Sequence, residues 1–483
     1  MMWGRRRPHT PAAGLSPARY ASYRMLLLVL TKRTARKKGE GYGERSVPVV
    51  WCVPCRDVSR SRTSSFLASN FAYSLFKWYT ICSFCFISLS LSSFIMKYDF
   101  EFFDQPLARR KSDSIKWRQY SEDVIPLWIA DMDFRACEEI TEALVRRARE
   151  GCYGYAVDSE SVIQAMIDYH REHYGIEIAP EWVLPQPGVV TSLNLFCKLL
   201  HELRPAASDV FIGEPVYHHF MSAAELQRIR ERKIDLQMQG APLPPLETLD
   251  PKGAGGWMFC NPANPLGYTW RENELRDVLT FCHTNNLLLA SDEIHGGLVL
   301  DAPHAYKPML SVAQTDAERA SVLSFIAPSK TWNLPGLGCA FAIVPDPELR
   351  HRFHRSYDQI VPCVNLFGWV GAEAAYRYGE PWRLGVLAYL RRNRDLMEQT
   401  AAQWRLPLCR LEATYLAFMD CTELLPYLNN ETPAAFFLRH GVAVHDGDIF
   451  GKPGWVRINL ATQTALLKQA FERMGNAIAA LPR

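Results

Sequence analysis

The stretch "VLSFIAPSKTWNLPG", Val322–Gly336, runs from an uncharged apolar segment to one lysine and a Pro-Gly turn. Five consecutive apolar or small residues without polar alternation read as a strand covered on both faces, the kind found in parallel α/β sheets. Lys330 then falls just past the strand's carboxyl end, where open α/β sheets take their ligands. A lysine entering such an interior is costly unless its pKa shifts or its charge is consumed. Its position therefore asks for a chemical use.

Neighbouring segments repeat the pattern. "DVFIG" (Asp209–Gly213), "WMFC" (Trp257–Cys260), "LLLAS" (Leu287–Ser291) and "CAFAIV" (Cys339–Val344) are further short strands. Between them lie helical segments. Leu195, Leu199 and Leu203 form an i, i+4 stripe, and "TWRE" (Thr269–Glu272) has the spacing of a capping box opening a helix through Asn285. Strands alternating with helices predict an α/β domain with a largely parallel sheet. The expected organisation is an extension over 1–95, an N-terminal arm and part of a small domain over 96–145, a large domain over 146–368, and a smaller α+β domain over 369–483.

Charge and cysteine use bound the function. The 483 residues carry a net charge of +3, but residues 1–70 hold 14 Lys and Arg against 3 Asp and Glu. From Met96 onward the balance reverses, with 39 basic against 48 acidic residues. An acidic body excludes the basic footprint of a nucleic-acid binder. Nine of the 13 cysteines follow Met96, scattered and often inside apolar runs, as in reduced cytoplasmic proteins. Cys52 with Cys55 and Cys82 with Cys85 have the C-x-x-C form. The second pair sits in a serine-rich apolar run with no histidine near, so no metal is expected. The uncharged run Trp78–Ile95 is 18 residues long, enough to consider a membrane span, though rich in serine. Residues 1–95 read as sequence upstream of a start at Met96, with a membrane anchor or targeting extension as the alternative.

Polar residues collect at the strand ends. "NPANPLG" brings Asn264, "SDEIH" brings Asp292 and His295, "APSK" brings Ser329 and Lys330, and "EPVYHHF" brings Tyr217. "PGVVTSLN" places Gly188 and Val189 at a helix start, where free N–H groups favour phosphate. This ordered set, with "FFDQPLARRKSDSIKW", "LWIADMDF" and "APSKTWNLPGL", resembles the fold-type I pyridoxal-phosphate (PLP) enzymes of the class I/II aminotransferase superfamily. Within them it is most similar to the MalY/PatB cystathionine β-lyase group, over essentially all of Met96–Arg483.

The resemblance implies roles. Lys330 carries PLP covalently and, once freed by substrate, moves the Cα proton. Asp292 pairs with the ring nitrogen, Asn264 and His295 address the ring oxygen, and Tyr217 stacks on the ring. Gly188, Val189 and Ser329 hold the phosphate, with Tyr155 reaching it from a second subunit. Arg457 in "WVRINLA" grips the substrate carboxylate, with Ala130 and Asp131 on the loop facing it. The implied protein is a homodimeric PLP fold-type I lyase acting on a small amino-acid thioether, with an aminotransferase or a MalY-like regulatory protein as alternatives. Ala327 and Gly338 stand where many relatives carry a phosphate-binding serine and an arginine. Leu266 stands where threonine is common, and Arg118 where acidic residues are usual. "LATQ" (Leu460–Gln463) replaces a common Cys-Pro segment.

Overall fold

A computed structural model describes residues 97–482, apart from 158, 239, 241 and 302–304. The expectations for residues 1–95 and their cysteine pairs lie outside these. Twelve strands are described: β1 (Ile125–Pro126), β2 (Val183–Gln186), β3 (Asp209–Glu214), β4 (Glu231–Asp235), β5 (Ala254–Cys260), β6 (Leu288–Asp292), β7 (Val322–Ile326), β8 (Ala340–Ile343), β9 (Leu416–Asp420), β10 (Val442–Ala443), β11 (His445–Asp446) and β12 (Trp455–Asn459). Seven of them form a central sheet in the order β2-β8-β7-β6-β5-β3-β4. The β4-β3-β5-β6-β7 block is parallel; β8 runs antiparallel to both its neighbours.

Every residue of β5, β6 and β7 is buried, because both sheet faces are covered. Alternate residues serve two separate cores. Met258 and Cys260 join Phe196 and Leu200 of the helix Val189–Leu203, whereas Trp257 and Phe259 join the opposite core with Leu275 and Val278. Burying a side chain such as Phe196 or Leu200 contributes about 1.5–3 kcal/mol. Their approach depends on Gly256, where a Cβ would come within 2.9 Å of the Phe196 ring and 2.7 Å of a backbone oxygen.

The cap at Thr269 is corrected. The helix spans Glu272–Thr284 with Arg271 at its N-cap. Thr269 is held back because its N–H donates to Glu412 Oε2 at 3.2 Å, and Glu274 instead closes the first turn by accepting the Arg271 N–H at 2.7 Å. Seven of the nine cysteines after Met96 are buried and all nine are free thiols.

A second, three-stranded antiparallel sheet has the order β11-β12-β9, and β1 pairs in parallel with β10. The segment Leu127–Asp133 beyond β1 thereby runs between the two sheets. Asn459 at the end of β12 fastens it from one side, its Nδ2 donating to Ile129 O at 2.6 Å and Asp131 O at 2.9 Å. From the other side Asn333 donates to Met132 O and accepts the Met132 N–H, both at 3.1 Å. No helix among the described residues is long and apolar enough to cross a membrane.

Candidate active site

The parallel register aligns the strand ends: Cys260 of β5 pairs with Asp292 of β6, and Asp292 with Phe325 of β7. Asn264, Asp292 and Lys330 thus open onto one cavity of about 790 Å³. Asp292 is buried, and its Oδ1 accepts the Ile294 N–H at 3.1 Å. Burial pushes its pKa up to about 7, with Glu293 adding to the rise and the Ile294 hydrogen bond and Lys330 opposing it. Lys330 donates from Nζ to Ala130 O at 2.7 Å. Burial lowers its pKa to about 8 and Arg457 acts in the same sense, against Asp131 and Asp292. An amine with that pKa can both accept and release a proton near neutrality.

Arg457, in the middle of β12, is 2% exposed and has no carboxylate partner among the described residues. It donates to Asn264 Oδ1 at 3.2 Å and Trp128 O at 3.3 Å and lies 4.5 Å from the Phe450 ring centroid, while its Nε has no partner. Burial lowers its pKa to about 10. A buried guanidinium with a spare N–H is a carboxylate receptor, because an anion would supply the missing partner and offset the desolvation.

The helix Val189–Leu203 starts at the cavity wall with Gly188 as N-cap, and no side chain caps it. A Cβ at Gly188 would meet nothing within 4 Å. The helix start is therefore open to an anion through its N–H groups and dipole. Ser329 and half-buried Tyr217 line the same cavity. His295 is buried with no partner for Nδ1, and burial lowers its pKa to about 3, with Lys330 and Arg457 adding to the fall. The ring is thus neutral and able to meet a polar ligand atom.

Two expected residues offer no free side chain to this cavity within one chain. Asp131 borders the cavity, but its carboxylate is engaged by Arg109 at 2.7 and 3.1 Å, so Ala130 and Asp131 present backbone rather than a free carboxylate. Tyr155 is fully exposed and does not border the cavity within one chain.

Sequence reasoning missed part of the cavity wall. Trp128, His218 and His445 all border the cavity. The quoted "EPVYHHF" displayed His218, but nothing in the order of residues brings His445 beside it. It also missed Lys116, which is fully buried and pairs with Asp133 at 2.7 Å.

No group of His, Cys, Asp or Glu suited to a metal ion occurs among the described residues. The chemistry of the donors fits PLP instead. A titratable amine, a buried carboxylate lacking a cation, an open helix start and a buried guanidinium answer its aldehyde, its ring nitrogen, its phosphate and a substrate carboxylate in turn.

Known proteins agree with that reading. The family model for class I and II aminotransferases matches residues 122–474. Cystathionine beta-lyase PatB of Bacillus subtilis is 29% identical over 394 residues, spanning 78% of this chain and 99% of its own. The crystal structure of OvoB superimposes with a TM-score of 0.74 at 35% identity, over 78% of this chain and 99% of that one. A PLP-bound protein of Clostridium difficile 630 does so with a TM-score of 0.72 at 29% identity, over the same shares.

Proposed function

The chain belongs to the class I and II aminotransferase family, and on that premise we propose that it is a PLP-dependent carbon–sulfur β-lyase of cysteine S-conjugates, L-cystathionine among them. The observation that carries the reading is the placing of Lys330 between a buried carboxylate, Asp292, and a buried guanidinium without a counter-ion, Arg457. The first suits a cationic ring nitrogen and the second an amino-acid carboxylate. The name of PatB, cystathionine beta-lyase, favours elimination over amino transfer.

PLP, when bound, supplies the electron sink for the pair released at Cα. The rest is done by the chain. Arg457 orients the substrate through its carboxylate, using the Nε–H that has no partner. Asn264, which accepts from Arg457, couples that grip to the cofactor end of the cavity. Lys330 takes the Cα proton, and its depressed pKa lets it return a proton to the departing sulfur. Gly188, Val189 and Ser329 receive the phosphate, while Tyr217 and His295 face the ring. The Cα–H and Cβ–S bonds break, and water completes the balance: cystathionine and water give homocysteine, pyruvate and ammonia, with no net oxidation. A homodimer belongs to the proposal: Tyr155 is exposed, so a phosphate contact from it would be made in a neighbouring subunit's cavity.

The test is incubation with L-cystathionine and no keto acid, following pyruvate and free thiol together. Equal amounts of both at every turnover are expected. Pyruvate and thiol absent without a keto acid, with amino transfer on adding one, would replace the lyase by an aminotransferase.

A further inference from the structure

The cavity has a second polar end that the chemistry above leaves unused. His218 lies at the start of the helix His219–Leu226, and His445 lies in β11 directly opposite Arg457 of β12, so His445 and Arg457 project from the same face of that sheet. The two imidazoles lie 6.4 Å apart between ring centroids, and both border the cavity. Trp128 extends the wall, 5.7 Å from the His445 ring at an interplanar angle of 34°. Phe450 backs it, 5.4 Å from His445 and 6.4 Å from His218.

The Nδ1 atoms of both His218 and His445 are buried and have no hydrogen-bond partner. An unpaired buried polar atom is costly, and two on one cavity wall call for a ligand that satisfies them. Burial lowers the pKa of His218 to about 4 and of His445 to about 3, with Arg457 adding to both. They are neutral at neutral pH, each with one donor and one acceptor nitrogen. His445 pairs across the strands with Arg457, and both histidines border the cavity that Arg457 and Lys330 also line. The border also includes His219, whose ring centroid is 4.3 Å from that of His218, and the exposed Ile115 and Ile449.

We propose that His218 and His445 are specificity-determining residues for the group carried on the leaving sulfur, selecting thioethers whose S-substituent forms hydrogen bonds over those with a plain alkyl chain. Two imidazoles with free nitrogens hydrogen-bond a polar tail and are left unsatisfied by an alkyl tail, so discrimination comes from the mismatch as much as from the match. The inference deepens the lyase reading and rests on it for the direction in which the substrate lies.

The test compares L-cystathionine with S-n-butyl-L-cysteine, whose tail has similar length and no polar atom, in PLP-loaded protein. The wild type should favour cystathionine. The His218→Phe/His445→Phe pair should lose at least about tenfold in kcat/KM for cystathionine, mostly through KM, as two hydrogen bonds predict, with S-butylcysteine changed less than about twofold. The His218→Gln/His445→Gln pair keeps a donor and an acceptor at each position and should recover most of the discrimination. Equal losses for both substrates, or no loss for either, would overturn the assignment. Calorimetric titration of both ligands into Lys330→Ala protein, with and without the Phe pair, reads the same preference without turnover. Absence of pyruvate from either substrate would sink the lyase reading alone, and the binding ratio would still decide the role of the two histidines.

Discussion

Two sets of buried and half-buried charge meet at the segment Leu127–Asp133, and they are built on opposite rules. On one side Lys116 pairs with Asp133 at 2.7 Å, Arg109 with Asp133 at 2.8 Å and with Asp131 at 2.7 Å, and the Trp117 indole N–H donates to Asp133 Oδ1 at 2.7 Å. Every ion in that set has its counter-ion. On the other side Arg457, Asp292 and Lys330 share one cavity and none forms an ion pair with any other described residue. Buried charges that are paired are structural; removing one partner typically costs 3–5 kcal/mol because its mate is left bare. Charges left bare in the native fold mark the place where a ligand supplies what is missing. The difference separates scaffold from site without reference to any relative.

Four substitutions break or sharpen that contrast. The largest effect is expected from Lys330→Ala: a loss of at least about 10³-fold in pyruvate release, as for removal of a covalent and proton-transferring group, with circular dichroism unchanged. Lys116→Ala should lower unfolding stability by about 3–5 kcal/mol in denaturant titration; a drop below 1 kcal/mol would mean the cluster is not the scaffold described. Arg457→Leu should do the reverse. The melting temperature should hold or rise, since an unpaired buried charge is removed, while kcat/KM falls about 10²-fold with KM carrying most of it. A melting temperature that falls as far as for Lys116→Ala would erase the distinction.

The smallest effect is in pH dependence. In PLP-free protein the folded pKa of Asp292, about 7, lies above its ordinary carboxylate value. Between those two values the folded state holds a proton that the unfolded state has lost, so stability falls as pH rises through that window. Lys330, depressed to about 8, works oppositely: stability rises with pH between about 8 and the ordinary lysine value. Asp292→Asn should flatten the fall between pH 4 and 7, read as melting temperature against pH. An unchanged slope would show that the carboxyl is not desolvated as described.

Much of the site was legible because it is local. Each of Asn264, Asp292 and Lys330 follows its strand within a few residues, and the strands announce themselves as short apolar runs; β7 matches its sequence limits to the residue. The helix start at Gly188 was legible for the same reason. What escaped depends on residues remote in sequence. Thr269 loses its capping role to a carboxylate from Glu412. Lys116 sits in a single helical turn, Ile115–Arg118, too short to display a periodicity, so nothing marks it as buried. His445 reaches His218 only because β11 pairs with β12 and the small sheet then meets the carboxyl ends of the large one. The antiparallel sense of β8 escaped too, since "CAFAIV" reads alike in either direction.

The double fastening of Leu127–Asp133 has a mechanical corollary. Asn459 ties it to the strand that bears Arg457, and Asn333 ties it to the turn that bears Lys330. The carbonyl on which the amine rests therefore belongs to a crossbar spanning the two sheets. The lysine's acceptor and the guanidinium's strand are thereby tied to one short run of backbone, which fixes the spacing between them.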